Sequence, residues 1–445
     1  MSVPEKVPQQ LENAALDEAA AADPGRTSTF AALEFRDFRL FWIGLVVSNV
    51  GTWMQQYGLG WLVVQLAIRD GTPQLGPLYL GLVGLARAIP GLTLGLFGGV
   101  VADRVDRRRL LIVTQTGAAI TAAVLAALTI TNNINIVEIV MMSAMNSIIF
   151  SFDAPTRQAM VPRLVPERQL MSAIGLNSAA FNGATLVGPL IGGVLIVPFG
   201  VGGLMLANSI SYFAVVFALL VIKPQPVIER GPRRTMLESI REGVGYVRRE
   251  PVLRWVVLLA AATAFLTRPY IQLMPAEAQF LGADAVQLSF LLAASGTGAL
   301  MGALVTASLG GWERRGALLV GASFTHGLLL VFMGTQRSLV GAMVFVALTS
   351  FAVMVFMGMA NTLMQTRSPD HLRGRVMSVQ TMVFIGFMPL GQMLLGAIGT
   401  FAGINVAFEI GGTIVVCIAL YAGLRVPALR GAVAEQSPRM AAGSG

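Results

Sequence analysis

Residues 202–222 read Gly202-Gly-Leu-Met-Leu-Ala-Asn-Ser-Ile-Ser-Tyr-Phe-Ala-Val-Val-Phe-Ala-Leu-Leu-Val-Ile222, without one charged side chain. A helix needs about 20 such residues to cross a bilayer. Hydrocarbon offers the backbone no hydrogen bond, so the run must close its own bonds as a helix. Eleven more apolar runs accompany it, at 40–66, 78–102, 109–131, 136–157, 170–197, 254–279, 286–310, 316–335, 338–365, 376–401 and 404–425. The ten-residue alternating segments of a membrane barrel are absent. The pattern predicts an all-α polytopic membrane protein with twelve transmembrane helices.

Composition agrees. The chain has 445 residues, of which 55% are hydrophobic and 12% charged. A soluble domain carries about twice that charged share. A single soluble domain, a coiled coil, a disordered chain and a basic nucleic-acid binder are thereby excluded. Cys417 is the one cysteine, so no intrachain disulfide forms. With two histidines beside it, neither a metal site nor another cofactor is expected.

The net charge of +8 is a topology signal. Of 31 Lys and Arg, 27 fall in the two tails and in alternate loops. Arg69 and Arg337 sit in the other loops, and Arg87 and Arg268 lie inside apolar runs. Cytoplasmic loops collect the positive charge. Both termini are therefore expected in the cytosol, with the lipid bilayer as the one large partner. Residues 1–33 and 427–445 read as disordered cytosolic tails.

The longest polar interior segment, 223–253, divides the helices into bundles at 34–222 and 254–426. Leu237, Ile240, Val244 and Val247 recur there at helical spacing among arginines. This predicts an amphipathic helix on the cytosolic membrane face. The bundles also resemble each other. Val165-Pro-Glu, Met171-Ser-Ala and Gly188-Pro-Leu return near an offset of 200 as Ser368-Pro-Asp, Met377-Ser-Val and Pro389-Leu-Gly. Parallel six-helix repeats build one large class of secondary transporter.

Two motifs sharpen this. After the second run stands Gly99-Val-Val-Ala-Asp103-Arg104-Val-Asp106-Arg107-Arg108. It resembles motif A of the major facilitator superfamily, with Asp106 where a glycine is usual, which puts the tight turn there in question. The fifth run carries Gly175, Ala184, Gly188, Pro189, Gly192 and Gly193 at the spacing of that superfamily's antiporter motif C, alanine replacing one glycine. Further stretches resemble its drug–proton antiporter branch, which includes macrolide and enterobactin exporters. They are Phe35-Arg-Asp-Phe-Arg-Leu-Phe-Trp42, Val161-Pro-Arg-Leu-Val-Pro166, Ser239-Ile-Arg-Glu-Gly-Val-Gly-Tyr-Val-Arg-Arg-Glu250 and Pro369-Asp-His-Leu-Arg-Gly-Arg375. The resemblance covers residues 35–426. It implies a monomeric, non-enzymatic exporter of a small molecule, driven by protons through rocker-switch motion. Many such exporters carry an arginine in the fourth helix; Met141 to Phe150 contain none.

Candidate residues follow. Gly99, Asp103, Arg104, Arg107 and Arg108 read as a cytosolic latch, with Asp153 and Arg157 as its counterpart on the fourth helix. Charges inside a bilayer are costly, so Arg87, Glu138, Asp153, Arg268 and Glu277 are the candidates for proton coupling. Glu409 and His326 are weaker ones, the histidine reading as a core residue bonded to a carbonyl. Asn49, Trp53, Gln56 and Tyr57 form one face of the first helix. Helices 1, 4, 7 and 10 line the cavity in the superfamily, which adds Asn146, Arg268, Gln272, Met357 and Asn361. Aromatic rings, amides and methionines suit a partly apolar ligand. A facilitator or importer of a lipid-like or sugar-like metabolite remains the alternative on the same scaffold. A membrane sensor and a membrane-embedded enzyme stand further off.

Overall fold

The apolar runs fold as helices, all but 254–279 without a change of helix type. The computed structural model describes residues 30–222, 236–309, 312 and 314–429, without the side chains of 96–100, 102–104, 236–240 and 428. The first four long helices are α1 (Arg36–Arg69), α2 (Gly76–Arg104), α3 (Arg107–Ile130) and α4 (Ile136–Met160). Leu170–Val221 is bent at Gly200, whose φ of 64° breaks it into α5 (170–199) and α6 (201–221). A side chain at Gly200 would strain that turn. The second half ends in α10 (Ala285–Ser308), α11 (Arg315–Gly334), α12 (Leu339–Thr366), α13 (Asp370–Ala402) and α14 (Ile404–Arg425), preceded by one further membrane segment.

That segment is broken. The linker helix α7 (Met236–Arg249) leads into α8 (Pro251–Ala262). A π turn at Thr263–Thr267 and a 3-10 turn at Arg268–Ile271 follow, and then the short α9 (Met274–Phe280). Pro269 stands in the first turn of the 3-10 segment and Pro275 in the first turn of α9, where a missing amide breaks no helical bond, so both suit a restart of the chain. The Phe265 carbonyl turns instead toward α13, where Gly391 leaves room for it.

Ten stretches of the described residues are long and apolar enough to cross a membrane, one of them being the bent pair α5–α6. Asn49, Thr52, Gln55 and Gln56 make α1 more polar than these. With α1 and the division at Gly200, the expected twelve helical segments are present. Helices α1–α6 form one lobe and α8–α14 the other. The lobes meet through α2 on α13 and α5 on α10.

The apolar interior divides unevenly. One cluster joins the lobes at the end away from the arginine-rich loops, here the far end. It runs from Val63, Val64 and Leu80 to Leu273, Met274 and Phe408. At the basic end there are two clusters, one per lobe. Phe38, Phe41, Leu111 and Leu219 belong to the first. Leu253, Val256, Phe356 and Leu363 belong to the second. Among the described residues the lobes share an apolar cluster at the far end and hold separate ones at the basic end.

Two tail boundaries move. The unstructured start expected through residue 33 ends sooner. Ala31–Glu34 is a 3-10 turn with Ala32 fully buried, and its amide donates to Ser172 Oγ at 3.2 Å. Pro427–Leu429 likewise extends the fold, with Leu429 fully buried. The remainder of both tails and residues 223–235 of the linker lie outside the described residues. The amphipathic helix is α7. Its Gly243 packs on the Arg375 carbonyl, Val247 is buried, Glu242 pairs with Arg375, and Tyr246 Oη donates to the Arg367 carbonyl at 3.2 Å. Burial, and then Glu250, hold the Tyr246 phenol above its ordinary range, which keeps it a donor. The linker helix is thus fastened to the second lobe.

Close helix approach rests on small residues. A side chain at Gly298 would run into the backbone of Ala347 on α12, whereas nothing lies within 4 Å of one at Gly321. Gly298→Leu should therefore lose at least about 1–3 kcal/mol through overpacking. Gly321→Ala should match or slightly exceed the parent. Thermal unfolding of the detergent-purified variants checks both.

Candidate functional site

At the basic end, Asp106 caps α3. Its carboxylate accepts from the amides of Arg108 (2.9 Å) and Arg109 (3.3 Å). With φ at −61°, the position needs no glycine, so the substituted motif still makes its turn. Arg107 is nearly buried and reaches the Ala159 carbonyl of α4 at 3.4 Å. Arg108 donates to the carbonyls of Leu219 (2.5 Å) and Leu220 (2.9 Å), the last turn of α6. Cations at helix C-termini satisfy free carbonyls and oppose the dipole. These arginines fasten the ends of α4 and α6. The side chains of Asp103 and Arg104 and the surroundings of Gly99 are outside those described.

Asp153 lies behind them, 3% exposed. It pairs with Arg157 one turn along α4 and accepts from Thr114 Oγ1 (3.0 Å) and Gln115 Nε2 (2.7 Å) of α3. Arg157 Nη1 donates on to Asn49 Oδ1 of α1 at 3.1 Å. The carboxylate expected to receive a motif arginine is held by Arg157. Thr114 and Gln115 were not anticipated, although two adjacent polar residues in an apolar run were a usable signal.

The second lobe repeats this pair without charge. Asn361 and Gln365 occupy α12 at the same four-residue spacing, an offset of 208 from Asp153 and Arg157. Gln365 Nε2 donates to Asn361 Oδ1 at 3.2 Å. Asp153 is buried and Arg157 half-buried, whereas both amides are exposed.

The polar-aromatic face of α1 is largely committed to contacts. Asn49 receives Arg157. Trp53 stands edge-on to Phe181 of α5 at 5.9 Å. Gln56 Nε2 donates to Gln272 Oε1 at 3.2 Å, and Tyr57 Oη to the Ala285 carbonyl at 2.5 Å; both bonds cross between lobes. Asn146, Arg268 and Met357 are half-buried. Residues read as ligand-lining thus include several that join helices in this conformation.

The motif C helix explains its glycines. A Cβ at Gly188 would meet Trp53 Cβ at 2.6 Å, and one at Gly192 would meet Tyr57 Cδ1 at 2.7 Å. Gly193 faces Ser289 of α10. Ala184 and Pro189 are buried, while Gly175 has open space. On the opposite side, Gly81 and Gly84 of α2 admit Met393 and Gln392 of α13, and Gln392 Nε2 donates to the Leu80 carbonyl at 2.8 Å. A glycine pair three apart in an apolar run was the missed signal.

The other charges separate. Glu138 serves the capping box of α4, accepting from the Asn135 amide at 2.6 Å and Asn135 Nδ2 at 3.0 Å. Arg87 is half-buried, and its carbonyl accepts from Ser147 Oγ at 2.6 Å. His326 is fully buried between the Thr349 carbonyl (3.1 Å) and Thr267 Oγ1 (2.9 Å). Glu409 flanks Gly334. Glu277 is fully buried, and neither carboxyl oxygen has a hydrogen-bond partner among the described residues. No group of three or more His, Cys, Asp or Glu that could hold a metal occurs among the described residues.

Two six-helix lobes meeting at one end of a multi-pass bundle define a secondary transporter of the major facilitator type. The chain belongs to the transmembrane secretion effector family of that superfamily, whose pattern it matches over residues 27–442. It is 26% identical over 383 residues to the staphyloferrin A transporter of Staphylococcus aureus, covering 83% of this chain and 91% of the relative. Macrolide efflux protein A of Streptococcus pyogenes is 24% identical over 392 residues, covering 86% and 94%. Among solved structures, a bacterial homologue of the human lysosomal transporter Spinster, inward-facing and unoccupied, superposes with a TM-score of 0.68 at 14% identity. It covers 90% of this chain and 99% of that one.

Removing one partner of a buried ion pair strands a charge and costs about 3–5 kcal/mol. Arg157→Ala should unfold correspondingly earlier on heating. The double variant Asp153→Asn, Arg157→Gln copies the second lobe's amide pair and should recover most of that loss. A double variant as labile as Arg157→Ala would contradict the account.

Proposed function

We propose that this protein exports a small, partly apolar molecule across the cytoplasmic membrane in exchange for protons, by rocking one lobe against the other. The observation that carries the reading is the divided apolar core: shared at the far end, separate at the basic end. With the basic end in the cytosol, as its arginines favour, this is a form open to the cytosol and sealed from outside. A monomer with both termini cytosolic suffices, since each lobe supplies half of the route.

Export is favoured by the seating of motif C. Gly188 and Gly192 bring α5 onto α1, and Gly193 brings it onto α10. The efflux relatives agree with that direction, and they suggest an antibiotic or siderophore-like cargo. Proton coupling needs a carboxylate whose surroundings change as the lobes move. Asp153 and Glu277 remain the best placed, because Glu138 is taken up by its helix cap. Arg87 and Arg268 are further candidates within the route.

Everted membrane vesicles with an acidified interior test the proposal. A panel of antibiotics, dyes and siderophores should include a compound that accumulates when the gradient is imposed and leaks back when it is collapsed. Gly192→Phe, which forces Tyr57 away, should abolish that accumulation. Transport indifferent to the gradient would instead mark a facilitator.

A further inference from the structure

Helix α9 carries a carboxyl group into the core shared by the lobes. Glu277 is 0% exposed, as are its neighbours Met274 and Ala278. Neither Oε1 nor Oε2 meets a hydrogen-bond donor among the described residues. An unpaired buried carboxylate is among the most expensive groups a protein can enclose, whereas the neutral acid costs far less.

Its position ties it to the seal. Two residues before it, Pro275 meets Gly60 of α1: a Cβ there would lie 2.9 Å from Pro275 Cγ. Two residues after it, Gln279 Oε1 lies 3.4 Å from the Cβ position of Gly76, at the start of α2. Both flanks of Glu277 therefore touch the opposite lobe.

The ionisable groups on the elements around α9 are few. Arg69, ending α1, pairs with Asp70. Tyr57 is bonded to Ala285. Tyr79 lies on α2, Asp284 caps α10, and Glu409 lies on α14. Arg337, ahead of α12, donates to the carbonyls of Gly334 and Gln336 and covers the Phe280 ring at 4.9 Å. It is in electrostatic reach of Glu277 and is the cation available to a carboxylate emerging there.

We propose that Glu277 is the proton-sensing residue of the far-end seal: the lobes close over its neutral acid, and loss of its proton to water entering the seal drives the carboxylate toward Arg337, parting them. In transport, protonation from outside would then complete the return to the cytosol-open form. That last step rests on the exporter reading; the response of the seal to pH does not.

Spin labels on Gln74→Cys in the first lobe and Ala402→Cys in the second, with Cys417→Ser, report the opening of the far end in nanodiscs. At acid pH the short distance should dominate. Raising the pH should shift the ratio of long to short distances by up to about tenfold per unit, the limit for one proton. Glu277→Gln should keep the short distance throughout, and Glu277→Asp should restore the response. Arg337→Gln should move the midpoint to higher pH, because the carboxylate loses its cation. A Glu277→Gln protein that opens with pH as the parent does, or a parent whose distances ignore pH, overturns the proposal. Vesicle transport separates the two readings: absent gradient-driven accumulation with an intact distance response removes the exporter and leaves the sensor.

Discussion

Everything in this fold depends on the backbone having to satisfy itself where water is absent. The helices meet that constraint by closing their own ladders, and their length follows from the thickness to be crossed. The segment 263–271, which leaves the pattern inside a lobe, shows how an exception is accommodated. Thr267 Oγ1 bonds back to the Thr263 carbonyl at 3.0 Å, His326 bonds to Thr267, and Gly391 makes space for the Phe265 carbonyl. Side chains and neighbouring glycines take over what a regular turn would have done. Irregular backbone buried within a bundle is tolerable on those terms, and it often marks the part that moves.

Once the helices exist, burial alone no longer assembles them, because lipid is as apolar as leucine. Close approach decides the packing, and glycines set where it happens. In this protein they serve both within each lobe, as Gly188 against α1 and Gly298 against α12, and where the lobes touch: Gly81 and Gly84 against α13, Gly193 against α10, Gly60 against α9. The same residue type that gives the exporter-like motif its spacing also holds one end of the molecule shut. The two lobes share an architecture but not an electrostatic plan, since Asp153–Arg157 in one is answered by Asn361–Gln365 in the other.

The helices were legible in the sequence because their signal is local and additive: twenty apolar residues announce themselves. The bend at Gly200 fell between two of the expected runs, 170–197 and 202–222, for the same reason. Tertiary partners were not legible. Gln56 and Gln272 are 216 residues apart, and nothing near either names the other. The stripe Asn49, Trp53, Gln56, Tyr57 was visible as a face, but polar groups facing a ligand and polar groups facing another helix look alike in one dimension. Glu138 is a different case. Asn135-x-x-Glu138 is the spacing of a capping box, and reading it as a membrane charge passed over the local use. Asp106 shows the reverse: a departure from a motif that the geometry accommodates by serving as a helix cap.

The lopsided apolar core also bears on how such a machine idles. Splitting the continuous cluster at the far end would wet more greasy surface than separating lobes that already have private cores at the other. On the exporter reading proposed above, an unloaded molecule would wait with its cytosolic doorway ajar, and cargo arriving from inside would not have to prise anything apart to enter. The work of each cycle would then be concentrated in the outward half-stroke.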